Sequence, residues 1–398
     1  MYRSRLDPNR SALAQRAGAS AASEQAVERA LDWLARHQDD DGRWNGGSAK
    51  NPVPGLVEEC RDSFTAHCPP DEICQGECSY AEADTALTGL ALLAYLGAGY
   101  THTEGKYTAT VGRGLRYLLL QQKSDGDLRG PSRAVGLYCH AMATLALSEA
   151  YAMTGDERLR GPVERSVDFL VKSQATDGMS WRYAPRESVG DTSILGWVVL
   201  VLRSAKAVGI SFPDQVQSGA LAWLQRVSGG RAGGLARYQP FKNVTETMTA
   251  EAWVCRQLLG HGRPGPASTE AAEFLLAHGP HRGPFNLYYW YYGTLAMYQG
   301  GGSAWTRWND QVRDQLVRRQ CSGGHPAGSW DPDDDGTYGA RGGRIYSTAL
   351  ATLTLEVYYR YLRFYDEPGP TPRLAPAPDR TTDPTLRRAG SLPANGRR

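Results

Sequence analysis

No stretch of the 398-residue chain is apolar for the ~20 residues that crossing a bilayer requires; the apolar run at residues 194–202, for example, has nine. The N-terminus, MYRSRLDPNRSALAQ, lacks the apolar core of a signal peptide, so a cytoplasmic location is expected. A large excess of charge is missing too. Lys+Arg 44 against Asp+Glu 42 leaves +2, whereas a nucleic-acid binder shows a strongly basic face. Large apolar side chains are scarce at both ends. Residues 1–22 hold Arg3, Arg5, Arg10 and Arg16 against Asp7, and residues 367–398 are rich in Pro, Thr and Arg. Segments of this kind bury too little surface to offset their ordering entropy. Disordered tails are therefore expected at 1–22 and 367–398, flanking one folded region at 23–366.

What the folded region has is a period. Amphipathic segments at 26–44, 109–128, 162–181, 216–238, 268–278 and 309–330 alternate with longer apolar ones at 84–99, 136–154, 191–209, 247–260, 287–300 and 347–365. The spacing, roughly 40–56 residues, is that of helical repeat arrays. The first kind carries charge on one face (Glu28, Arg29, Asp32 and Arg36 in the first copy), as an outer helix does. The second is apolar all round (ILGWVVLVL) and belongs inside. Neither terminal repeat looks like the polar cap that an open solenoid needs. The prediction is an all-α (α/α)6 toroid: six inner helices wrapped by six outer ones.

The turn Gln38-Asp39-Asp40-Asp41-Gly42-Arg43-Trp44 has the pattern Q-x3-G-x-W, with looser copies at Gln174…Gly178…Trp181 and Gln320…Gly328-Ser329-Trp330. With Asp84-Thr85-Ala86, Asp191-Thr192-Ser193 and the run 342–350, residues 24–365 resemble the terpenoid cyclase/protein prenyltransferase superfamily, as bacterial prenyltransferase/squalene-oxidase-repeat proteins. That resemblance implies a toroid and a central cavity for an isoprenoid or similar lipid, with peripheral membrane contact. It also implies chemistry that the residues do not supply. The cyclase proton donor, the middle Asp of D-x-D-D, falls on Ala83 or Gly190. Asp331-Pro332-Asp333-Asp334 matches by letter, but far ahead of its inner helix. The zinc-binding Cys of prenyltransferases is replaced by Ser193, and their His is absent from the run 288–292.

Four of the 7 cysteines, Cys60, Cys68, Cys74 and Cys78, cluster in an insertion at 51–80, with His67 beside them. They read as a structural zinc site in a reducing compartment, as two disulfides in an oxidising one, or as free thiols. No organic cofactor is expected. Residues 331–336 begin like a calcium loop but lack its closing Glu, since position 342 is Gly.

Parallel inner helices gather their N-termini at one mouth, which favours anions. Asp84, Asp191 and His140 fall there as acid–base candidates. Arg186, Arg341 and Arg344 are candidate diphosphate contacts, and Trp197, Trp253, Tyr289, Tyr292 and Tyr346 are candidate cavity aromatics. Asp84 and Asp191 also make good N-caps. The leading expectation is a hydrophobic small-molecule ligand handled by a cyclase-like or prenyltransferase-like protein. The alternatives are a carbohydrate-active or polysaccharide-binding toroid, whose aromatics would stack on sugars, and a non-catalytic scaffold.

Overall fold

The computed structural model describes residues 2–7, 9–47, 64–76, 78–80, 82–282 and 284–360. A short α1 (Arg10–Ala17) precedes six hairpins, each an outer helix followed by an inner one. These are α2 (Ala21–Arg36) with α3 (Asp84–Gly97), α4 (Thr108–Gln121) with α5 (Gly136–Thr154), and α6 (Glu157–Lys172) with α7 (Leu195–Ala207). In α8 (Asp214–Arg226), a small ribbon follows before the inner helix: β1 (Ser228–Gly229) runs antiparallel to β2 (Leu235–Ala236), pairing Ser228 with Ala236. Then come α9 (Glu246–Leu258), α10 (Pro266–Ala277) with α11 (Leu287–Gly300), and α12 (Gly302–Arg319) with α13 (Gly339–Leu355). The short α14 (Val357–Arg360) ends the described chain.

The inner helices close a ring. Each packs on the next, from α3 through α5, α7, α9 and α11 to α13, and α13 returns to α3; among the outer helices, α12 meets α2. The fold is an (α/α)6 toroid. Composition explains the two layers. The described part of α11 is buried from Leu287 to Gln299, whereas α2 buries Ala26, Val27, Ala30, Leu31 and Leu34 along one stripe. Gly89 lets α3 lie against the α5 backbone, because a Cβ there would overlap Met142 and Ala143.

The Q-x3-G-x-W turn proves to be a clamp between successive outer helices. Gln38 donates to the carbonyls of Gly42 (2.9 Å) and Thr110 (3.0 Å), the latter in the next outer helix, and accepts from Arg113 at 2.6 Å. Trp44 turns back to donate to the Leu34 carbonyl at 2.8 Å. Gly42 adopts φ 95°, and a Cβ there would strike the Arg113 carbonyl. Gln122 repeats the arrangement with Pro162 and Arg165. At the seam, Gln320 donates to the Ala26 carbonyl at 2.7 Å, accepts from Arg29, and Trp330 donates to the Leu316 carbonyl. The last turn thus grips the first helix.

Within 1–22, the segment expected to be a disordered tail, the described residues include regular structure. A 3-10 turn spans Arg3–Leu6, and α1 and the start of α2 follow. Ala14 is buried in the core, and long-range polar anchors add to it. Tyr2 donates to Ser204 of α7 at 2.8 Å, and Arg5 reaches Glu149 of α5 at 2.6 Å and the Arg360 carbonyl at 3.1 Å. Arg360 pairs with the same Glu149 at 3.1 Å. The expected tail at 367–398 lies outside the described residues.

Candidate active site at the mouth of the ring

The loops that lead into the inner helices bond to one another around one rim. The Ser79 N–H donates to the Arg341 carbonyl (3.1 Å), Leu137 to Tyr183 (3.0 Å) and Thr192 to Tyr238 (3.0 Å). Asp191 lies within this rim, fully buried. Its Oδ1 accepts from the Ser193 hydroxyl (2.9 Å) and the Ile194 N–H (3.2 Å); its Oδ2 accepts from the Tyr238 hydroxyl (2.9 Å), with Arg182 at 3.7 Å. Two further hydroxyls extend the network: Tyr138 donates to Ser193 at 2.7 Å, and Tyr183 meets Tyr238 at 2.8 Å. Burial pushes the Asp191 carboxyl above its ordinary value, against the lowering effect of Tyr238, Ser193, the Ile194 N–H and Arg182.

A second carboxyl was not recognised in the sequence. Glu251 of α9 is fully buried, and its Oε1 accepts the Gly196 N–H at 2.8 Å. Asp191 and Glu251 therefore take backbone N–H groups two residues apart at the start of α7. Burial first, and then the neighbouring Asp191 charge, raise the Glu251 carboxyl well above the usual range. Its Oε2, the Tyr292 hydroxyl and the Trp197 indole N–H have no hydrogen-bond partner among the described residues. These groups adjoin: Tyr292 and Glu251 both border Gly196, and the Trp197 ring lies 6.0 Å from Tyr292 and 5.5 Å from Tyr291. Glu251 stands in the segment Thr-Ala-Glu-Ala-Trp-Val, an acid in the middle of the buried stretch of its inner helix, and that was the available signal.

The other candidates separate. Asp84, half-buried, faces Arg43 at 3.6 Å; burial raises its carboxyl, which Arg43 opposes. His140 is buried with both ring nitrogens engaged: Nδ1 accepts from the Leu128 N–H (3.1 Å), and Nε2 reaches the Ser166 carbonyl (3.0 Å). Burial lowers it to about 4, so it is a neutral tether between turn and helix. Arg186 and Arg341 are exposed. Arg344 is not: it holds the 64–80 segment to the ring through the Gln75 and Gly76 carbonyls, with Asp331 at 2.7 Å and Ser329 at 3.0 Å. Its guanidinium is thereby occupied, so the expected diphosphate contact gives way to this tether. Tyr289 points outward, donating to the Leu275 carbonyl and lying against Trp308, so it leaves the cavity set. Trp253 and Tyr346 are buried. Asp335, in the acidic turn, accepts from the Leu287, Thr337 and Tyr338 N–H groups and acts as a local cap.

The cysteines regroup as well. Cys60 lies outside the described residues, and the Cys78 thiol donates to the Arg341 and Tyr80 carbonyls. Cys68 and Cys74 instead meet His37 and His325, while His67 bonds Asp39 at 2.7 Å. Among the described residues, no helix is long and apolar enough to cross a membrane.

No family model matches the chain, and no curated protein matches it. Solved structures do. The GH76A α-1,6-mannanase of Salegentibacter sp. HEL1_6, as an inactive variant bound to α-1,6-mannotriose, aligns with TM-score 0.55 and 9% identity, over 85% of this chain and 99% of that one. The same mannanase without the substitutions gives TM-score 0.51 over 85% and 98%. An α-amylase from Clostridium perfringens gives 0.50 at 10% identity, over 69% and 86%. At such identities the likeness establishes the toroid alone. It nonetheless corrects the resemblance to terpenoid cyclases and prenyltransferases, and with it the isoprenoid reading, because these neighbours are glycosidases. The Q-x3-G-x-W turn, a clamp between outer helices, reports architecture and carries no reacting group.

Proposed function

We propose that the chain is a carbohydrate-active toroid that takes a glycan at the tyrosine-lined mouth, with Asp191 and Glu251 as its acid–base pair. The observation that carries this reading is the pair itself, two buried carboxyls at the start of one inner helix with different partners. Glycoside cleavage uses two carboxyl groups, one giving a proton to the leaving oxygen and the other acting as base or nucleophile. Glu251, kept protonated by burial and by Asp191, suits the donor. Asp191, bonded by two hydroxyls and an N–H and faced by Arg182, suits the ionised partner. Tyr138, Tyr183, Tyr238 and Tyr338, half-buried, offer apolar faces to sugar rings and hydroxyls to their edges. Arg186 and Arg341 keep a substrate-contact role at the exposed rim. The oligosaccharide bound to the neighbouring mannanase supports a glycan ligand. A cytoplasmic location belongs to the same reading, since reducing conditions keep Cys68 and Cys74 as thiols.

The test exposes the protein to α-1,6-manno-oligosaccharides and α-glucans, following tryptophan fluorescence for binding and new reducing ends for cleavage. Saturable quenching and turnover are expected, with turnover falling about 100-fold or more in Glu251→Gln and Asp191→Asn. Quenching without turnover would reduce the protein to a binding module. No quenching by any glycan would end the carbohydrate reading.

A further inference from the structure

We propose that His37, Cys68, Cys74 and His325 form a tetrahedral zinc site that pins the first repeat, the last repeat and the cysteine-bearing insertion together. All four donor atoms lie within 4.8 Å of one another. The separations are 3.6 Å from Cys68 Sγ to His37 Nε2, 3.7 Å from Cys74 Sγ to His37 Nε2, and 3.4 Å from Cys74 Sγ to His325 Nδ1. A tetrahedral zinc with its usual Zn–S and Zn–N lengths has S···N edges of about 3.6 Å. Three of the six donor–donor edges thus already match those of such a site, and the others lie within 4.8 Å.

Their surroundings fit a metal as well. His37 Nδ1 lies 2.7 Å from the Trp33 carbonyl, which holds the Nδ1–H tautomer and leaves the Nε2 lone pair facing the sulfurs. Trp33 stacks on the same ring at 4.0 Å, fixing its plane. The Cys74 N–H points at Cys68 Sγ at 3.4 Å, a hydrogen bond that favours a thiolate. On binding, each thiol releases its proton to solvent, and two thiolates then neutralise the dication. A neutral site can be buried at little electrostatic cost, and His37 and Cys74 are fully buried. Two sulfurs with two imidazoles favour zinc over magnesium or calcium, and four protein ligands leave no open position for substrate. The role is therefore structural.

The position in the chain gives the site its purpose. His37 caps the C-terminus of α2, the first outer helix, and His325 lies in the turn after α12, the last one. Cys68 and Cys74 come from the insertion between α2 and α3. The metal would cross-link the seam already closed by Gln320 on Ala26 and by Arg36 on the Ala327 carbonyl.

The experiment uses the full chain, purified without added metal under reducing conditions, with elemental analysis and then cobalt(II) exchange. One equivalent of zinc is expected, and cobalt should give the visible bands of a tetrahedral site with a thiolate charge-transfer band. Cys60→Ser and Cys78→Ser should keep the equivalent, whereas Cys74→Ser and His325→Ala should lose it. His325→Cys should restore it, which a merely structural effect of the alanine would not. Metal that follows Cys60 and Cys78 would overturn this ligand set. So would a metal-free reduced protein that takes up neither zinc nor cobalt, or a Cys68–Cys74 disulfide in freshly purified protein.

Discussion

Glu149 and Glu251 are both fully buried glutamates on inner helices, yet their surroundings drive them in opposite directions. At Glu149 burial raises the carboxyl, but Arg360 and Arg5 together outweigh it and hold it below its ordinary value. At Glu251 no cation among the described residues offsets burial, so burial and the Asp191 charge push its carboxyl well above the usual range. One carboxyl is a cross-link between cations, and the other is shifted toward its neutral form. Depth within the ring is not what separates them; the charges brought by residues distant in sequence are.

The sharpest way to break the contrast is to remove the cations. Arg360→Ala leaves Glu149 with Arg5 alone, and losing one partner of a buried pair costs about 3–5 kcal/mol. Denaturant unfolding should show the loss, while glycan binding by the folded fraction stays unchanged. Glu149→Gln should fall in the same range, because it removes the charge that two buried guanidiniums share.

A smaller effect of opposite sign is expected at the mouth. Glu149 has a lowered pKa, so its stabilising contribution is present above the unfolded carboxylate value of 4.5 and is lost as pH falls through its folded value. Glu251 has a raised pKa, so its contribution is present below 4.5 and is lost as pH rises through its folded value. Glu251→Gln should therefore remove a decline in stability with rising pH and leave the protein more stable at neutral pH, where Glu149→Gln loses stability. Matching pH profiles for the two variants would erase the distinction drawn here.

Gly42→Ala should cost about 1–3 kcal/mol, since it combines a left-handed φ with a clash against the Arg113 carbonyl. Smaller still, Tyr2→Phe should cost about 1 kcal/mol by removing the bond to Ser204. That measurement tests how firmly the N-terminal segment is held.

Much of the architecture was legible because it is local. Periods of helix, the Q-x3-G-x-W turns and the contrast between charged and apolar segments all lie within about 20 residues of one another, the scale on which helical amphipathicity is read. The anchors of the segment before α2, Arg5 on Glu149 and Tyr2 on Ser204, span the chain and leave no local trace in the sequence. The metal candidates were half legible. Cys68 and Cys74 stood out by clustering, but His37 and His325 come from opposite ends of the repeat array, and Cys78 turned to carbonyls instead. At the mouth, Asp191 was visible as a cap, whereas Glu251 needed attention to a single acid where periodicity asks for none. The chemistry first inferred from the turns failed for a physical reason: the glutamine and tryptophan bond backbone groups of their own scaffold.

The grip of Gln320 on Ala26 changes how the molecule should come apart. A linear stack of repeats has one fewer interface than it has repeats, and it loosens from its two ends inward. Here α13 returns to α3 and α12 to α2, so every repeat has two neighbours and none is terminal. Such a hoop has no edge from which to fray. Amide exchange should then show no gradient from first repeat to last, and severing the seam should create two ends at once, loosening repeats that the cut never touched.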